Sequence, residues 1–192
     1  YYCKDGWMLS VSGSTLQIQC CDRKKQTERE KTFLKELRNS KKASDQKASK
    51  ARIAYHILKP LVKKPIWLVS DRINKADDNG EAFFRYLNEH HSKEIDSYFV
   101  LSKDSPDFER MSKIGKVVDH LSFKHKLLYL LCEVNISSQA DYITDNPFQG
   151  FFEPYRDLMA EHKFIFLQHG VTQNDISSWL NRYNKNFSGF IT

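Results

Sequence analysis

The chain has 192 residues, of which 40% are hydrophobic and 13% aromatic, and a formal charge of +6. That suits one ordinary domain with an extension, or two small ones; no run approaches the roughly 20 apolar residues that a membrane-spanning helix needs. The charge is uneven: residues 23–64 hold 15 Lys/Arg against four Asp/Glu, whereas residues 65–192 hold 14 against 18. A nucleic-acid-binding domain carries its basic charge on the folded body, so this distribution argues against that class and against a nucleic-acid partner.

Cys3, Cys20, Cys21 and Cys132 show no C-x-x-C spacing, and no His lies at ligand spacing from a Cys pair. A disulfide framework and a zinc site are both disfavoured, and a reduced cytoplasmic chain with no metal or cofactor is expected. With no initiator Met and no signal-peptide pattern, Tyr1 is expected to be a cut within a longer protein.

Residues 7–11 and 15–20 have strand composition, and Ser12, Gly13 and Ser14 supply turn chemistry between them. Residues 1–22 are therefore expected to be a β-hairpin remnant, the edge of an upstream β-rich domain. Residues 23–64 are expected to form a basic helical linker, as two helices or one frayed long helix ending at Lys59-Pro60. Phe33, Leu34 and Leu37 form one apolar patch, and Ile53, Ile57 and Leu61 form another at i, i+4, i+8. This segment reads either as a solvated linker or as a basic surface for anionic lipid headgroups or an anionic polymer.

From Pro65 short apolar runs alternate with helical patterns. Strands are expected at 66–70, 98–101, 116–118, 134–138 and 164–167, with a sixth in 188–192. Helices are expected after Asn79-Gly80, over 108–114, 122–132 and 151–161. Alternation of this kind predicts an α/β domain over 65–192, a Rossmann-like parallel sheet with flanking helices. Right-handed crossovers place the strand-to-helix loops along one edge, where ligands bind in such folds. The candidate loops are 71–80, 137–146 and 168–175.

His169-Gly170 is the sharpest signal: a His directly after a buried strand, on the ligand edge, able to accept a proton from an attacking hydroxyl. Gly170 permits a sharp turn and close ligand approach. Thr172, Gln173 and Asn174 offer hydrogen bonds to a substrate, and Asp71, Arg72, Asn79 and Gly80 are candidate binding residues from the first loop. That loop is neither a G-x-G-x-x-G fingerprint nor a Walker loop, and Asp71, Asp77 and Asp78 make it too acidic to cradle a phosphate directly. The other histidines show no metal spacing: His90-His91 sits at a helix end, His120 and His125 flank or lie in a helix, and His56 and His162 read as surface or interface residues.

Three runs together resemble the CDP-glycerol glycerophosphotransferase family: Trp67-Leu-Val-Ser-Asp-Arg72, Asp78-Asn-Gly-Glu81 before an aromatic helix, and Phe166-Leu-Gln-His-Gly-Val-Thr172. The resemblance covers about residues 65–192. It implies the N-terminal, acceptor-facing half of a GT-B-like enzyme, whose missing C-terminal domain would bind a CDP-glycerol or related CDP-alditol donor. It further implies a polyanionic or lipid-linked acceptor, work at the cytoplasmic membrane face, and His169 as the base that deprotonates the acceptor hydroxyl. Without the donor domain this chain is expected to be inactive alone. The competing readings are a GT-B glycosyltransferase using a nucleotide sugar and a non-catalytic binding domain in which His169 is structural; a flavodoxin-like or response-regulator-like domain is weaker, because its acidic or flavin-binding loop is not supplied.

Overall fold

The computed structural model describes residues 2–4, 6–140, 146–148, 150–168, 175, 177–185 and 188–191. The chain divides into two compact units, Tyr1–Ile57 with Phe151–Ala160, and Leu58–Gly150 with Glu161–Thr192.

In the first unit, β1 (Tyr2–Lys4), β2 (Trp7–Ser12) and β3 (Thr15–Cys20) form an antiparallel sheet in the order β1-β2-β3. The expected hairpin is present and carries a third strand. Its turn uses Gly13 at φ +61°, the left-handed region that favours glycine. Helix α1 (Arg23–Asn39) starts at Asp22, whose carboxylate accepts from Lys25 N at 2.8 Å. Helix α2 (Ala43–Leu58) follows after Ser40, which is extended at φ −65°, ψ 142° and donates its hydroxyl to Asp45 at 2.5 Å. This break settles the alternative between one helix and two. Pro60 closes α2 into a 3-10 turn, Lys59–Leu61.

Helix α2 does not bury the stripe its apolar residues suggested. Ile57 and Leu61 are exposed, and the buried positions are Ala48, Ser49, Ala51 and Arg52. Small side chains there allow close approach, and Arg52 is the large residue on that face. Its guanidinium is fully buried and makes five hydrogen bonds: Nε and Nη2 to the two oxygens of Glu30 (2.9 and 2.5 Å), Nη1 and Nη2 to those of Asp157 (2.7 and 2.8 Å), and Nη1 to the Pro154 carbonyl (2.6 Å). The helix expected over 151–161 is reduced to a 3-10 turn, Glu153–Tyr155, followed by irregular turns. Its Pro154 carbonyl and Asp157 carboxylate are directed to Arg52, so tertiary bonding overrides local helix preference.

The second unit holds β4 (Ile66–Ser70), α3 (Asn79–His90), β5 (Asp96–Leu101), α4 (Phe108–Ser112), β6 (Lys116–Asp119), α5 (Phe123–Leu131), β7 (Val134–Ser137), β8 (Lys163–Leu167), α6 (Arg182–Lys185) and β9 (Gly189–Ile191). All strand pairs are parallel, in the order β6-β5-β4-β7-β8-β9. Counted within this unit, that is third, second, first, fourth, fifth, sixth, the doubly wound Rossmann order. The expected α/β class and parallel sheet are therefore present, and each expected strand is found within two residues of its span. Central strands read as continuous apolar runs because both faces are covered. Val69, Phe99 and Leu101 pack with Phe84 and Leu87 of α3 and Met111 of α4, while α5 runs against β4 and β6. Among the described residues no helix is long and apolar enough to cross a membrane.

Candidate functional site

The strand order reverses between β4 and β7. These two neighbours send their chains away in opposite directions at the carboxyl edge, which opens the crevice where such sheets take ligands. In register, Ser70 ends β4 opposite Ser137 of β7. Asp71 and Ser138 come next, and Ser138 N donates to the Ser70 carbonyl at 3.1 Å.

Asp71 is fully buried at this point. Its Oδ1 accepts from Ser138 Oγ (2.7 Å) and Gly80 N (2.8 Å), and its Oδ2 accepts from Glu81 N (3.0 Å) and Asp78 N (3.2 Å). Burial pushes this carboxyl above the ordinary carboxylate range, against the four donors, which favour the ionised form. The next N–H of the helix start, that of Asn79, donates to Asp78 Oδ1 at 2.8 Å. Free N–H groups at a helix start are what bind phosphate in dinucleotide-binding folds. In α3 they are satisfied by the chain's own carboxylates, so the phosphate position of a dinucleotide fold is filled from within.

Gly80 is required by this packing. A Cβ there would lie 2.4 Å from Asp71 Oδ1 and 2.6 Å from the Ser70 carbonyl oxygen. Gly80→Ala is expected to cost about 2–4 kcal/mol, because backbone and a buried carboxylate cannot yield as a flexible side chain does. Urea unfolding measures it; a cost below about 0.5 kcal/mol, the level of a neutral surface change, would show that the contact relaxes.

The loop before α3 is held from its other side too. Ala76 N donates to Asp107 at 3.1 Å, and Arg110 donates to the Ala76 carbonyl at 3.0 Å and to both oxygens of Glu81 at 2.5 and 2.8 Å. The Arg110 bond holds the Glu81 carboxyl below its usual range. Arg72 is exposed on the same edge, beside a short bridge with Lys75. The side chain of Asn79 reaches β8: its Nδ2 donates to the Gln168 carbonyl at 2.5 Å. Gln168 N in turn donates to the Ile191 carbonyl of β9 at 2.8 Å.

The structure thus brings Asp71, Asn79 and Gly80 together, with Arg72 adjacent. His169, Gly170, Thr172, Gln173 and Asn174 lie outside the described residues; what is described is Gln168, directly before them. Ser138 lies in the candidate loop 137–146, but nothing in the sequence singles it out within that loop. Among the described residues no group of three or more His, Cys, Asp or Glu side chains is placed to hold a metal ion.

A doubly wound sheet with a closed first loop and a polar switch-point crevice defines an α/β domain that is not of the dinucleotide-fingerprint kind. The sequence carries the assignment further. Residues 49–183 match the family of CDP-glycerol:poly(glycerophosphate) glycerophosphotransferases, more than half of the chain, and the chain belongs to that family. It is also 38% identical, over its whole length, to the minor teichoic acid biosynthesis protein GgaB of Bacillus subtilis (strain 168). The chain spans 22% of the length of that relative. No solved structure matches it.

Proposed function

We propose that the protein containing this chain transfers glycerol phosphate, or a related alditol phosphate, from a CDP-activated donor to a hydroxyl of a teichoic-acid-type, polyanionic or lipid-linked acceptor. Residues 65–192 are the acceptor-side half of a GT-B-like pair, after an upstream edge (1–22) and a basic linker (23–64), and the donor domain lies elsewhere in the protein. The observation that carries this reading is the strand β8, which ends at the carboxyl edge one place from the switch point and runs through the pinned Gln168 into His169-Gly170, in a chain of this family.

In the reaction the acceptor oxygen attacks the β-phosphorus of the CDP-alditol. A new P–O bond forms, the bond to the bridging oxygen breaks, and CMP leaves with that electron pair. His169 takes the proton of the attacking hydroxyl, which is a poor nucleophile without a base. Gly170, Thr172, Gln173 and Asn174 line the acceptor, and Arg72 supplies positive charge at the crevice for an anionic substrate. Asp71 and Gly80 serve this edge by holding the loop that presents Arg72 and Asn79.

CMP release by the full-length protein from CDP-glycerol tests this. His169→Ala is expected to lower kcat about 10²- to 10⁴-fold, the usual range for loss of a general base. Unchanged turnover in that variant would remove His169 from the chemistry, and release only from a nucleotide sugar would make the protein a glycosyltransferase.

The basic helices fit an anionic membrane surface at the cytoplasmic face, since Lys41, Lys42, Lys47 and Lys50 are all exposed. Replacing those four by Ser is expected to reduce co-sedimentation with vesicles containing phosphatidylglycerol, and most strongly at low salt. Equal sedimentation of the two proteins would count against a membrane role.

A further inference from the structure

We propose that Asn79 is a positioning residue for the candidate base His169, acting through Gln168, the residue directly before it in the chain. The assignment rests on the reading of His169 as base. Asn79 is the first residue of α3, and its own N–H is held by Asp78 at 2.8 Å. The helix start is fixed by three backbone N–H bonds to the buried Asp71. From this anchored place the Asn79 amide crosses to β8, 89 residues away in sequence, and donates to the carbonyl of Gln168 at 2.5 Å. The opposite side of Gln168 is tied to β9 through its N–H to Ile191. The residue preceding His169 is therefore clamped between the helix start and the next strand.

Folding alone does not account for an asparagine here. Asn79 is exposed, and a hydrogen bond at such a site adds little net stability because water competes for both groups. At the start of a helix a carboxylate is favoured by the helix dipole, so aspartate would serve the helix at least as well. Aspartate has the same shape but no N–H to offer the Gln168 carbonyl. The amide donor distinguishes asparagine, and its acceptor is the carbonyl of Gln168, the residue directly before the candidate base.

The test uses the full-length protein with Asn79→Asp and Asn79→Ala, CDP-glycerol as donor, and His169→Ala alongside. Both Asn79 variants are expected to lose at least tenfold in kcat, with both KM values within twofold of wild type. The thermal midpoint of Asn79→Asp is expected to match or exceed that of wild type. In the His169→Ala background, adding Asn79→Asp is expected to cost nothing further, since residues acting as one unit are not additive. A kcat within twofold of wild type overturns the positioning role. So does a rise in acceptor KM at unchanged kcat, which would make Asn79 a direct ligand, and so does a midpoint that falls with kcat. Full turnover by His169→Ala overturns the base itself, a result separate from normal turnover in the Asn79 variants beside an inactive His169→Ala.

Discussion

Arg52→Ala is expected to destabilise the first unit by about 3–5 kcal/mol, the range for removing one partner of a buried ion pair. The side chain is fully buried, and its partners Glu30 and Asp157 are only 16% and 14% exposed. All five guanidinium N–H groups are engaged, and the ring of Phe33 lies 5.0 Å from the guanidinium carbon. Truncation removes the guanidinium that bridges the two carboxylates, although His56 Nε2 stays 3.1 Å from Glu30. Arg52→Lys is expected to fail nearly as badly, since a single ammonium cannot bridge two carboxylates and a carbonyl in a planar fork. Arg52→Met combined with Glu30→Gln and Asp157→Asn is expected to recover part of the loss, because no charge is then left unpaired. Urea unfolding of the three proteins measures this; an Ala variant within about 0.5 kcal/mol of wild type, the ordinary surface level, would mean that water replaces the guanidinium.

Acid is expected to unfold the second unit through two histidines. His125 is 1% exposed and its Nδ1 accepts from Leu121 N at 3.1 Å, so protonation there removes an acceptor as well as burying a charge. Burial pushes its pKa down to about 3, with His120 and Lys126 adding to the effect. His162 is pushed down to about 4, chiefly by burial, although its hydrogen bond to the Leu130 carbonyl pulls the other way. In the unfolded chain both titrate near 6.5. Between the folded and unfolded values the unfolded state binds more protons, so stability is complete above about pH 6.5 and is lost as pH falls. Each histidine contributes about 1.4 kcal/mol per pH unit in that window. Unfolding free energy measured from pH 6 to 5 is expected to fall with a slope approaching two protons, less what the raised Asp71 carboxyl takes up in the folded state, and His162→Phe is expected to lower that slope by about one. A slope unchanged in that variant would remove His162 as a titrating group.

The sheet was legible because each strand is a short apolar run bounded by polar loops: Ile66–Ser70 reads as a buried parallel strand before any neighbour is known. Helix starts were legible to within a residue: the start expected at Asn79-Gly80 is capped by Asp78, and the helix expected from Ser122 begins at Phe123 with Ser122 as its cap. Two features were not. The buried face of α2 centres on Arg52, one of 15 basic residues in its segment, and nothing local separates a buried arginine from a solvated one; the distinguishing partners lie 22 and 105 residues away. The helix expected over 151–161 failed for the same reason.

At the candidate site, the sequence marks Asp71 as a candidate binding residue in a loop too acidic to cradle a phosphate directly. Its actual place, as the acceptor that occupies the start of α3, depends on a strand-end aspartate meeting Gly80 nine residues later and Ser138 across the switch point. The first pairing is visible in retrospect, as an Asp at a strand end followed by a Gly just inside the next helix. The second needs the strand order.

The Arg52–Asp157 bond also sets an order of events at the ribosome. The two residues are 105 apart, so at about 5–20 residues per second Arg52 is made roughly 5–20 s before its partner. During that interval β4 to β7 are all synthesised, while the guanidinium has Glu30 but neither the Pro154 carbonyl nor Asp157. The first unit begins the chain yet is completed only after most of the second has been made. A nascent chain paused before residue 151 therefore has α2 without the Pro154 carbonyl and the Asp157 carboxylate that Arg52 binds in the folded unit.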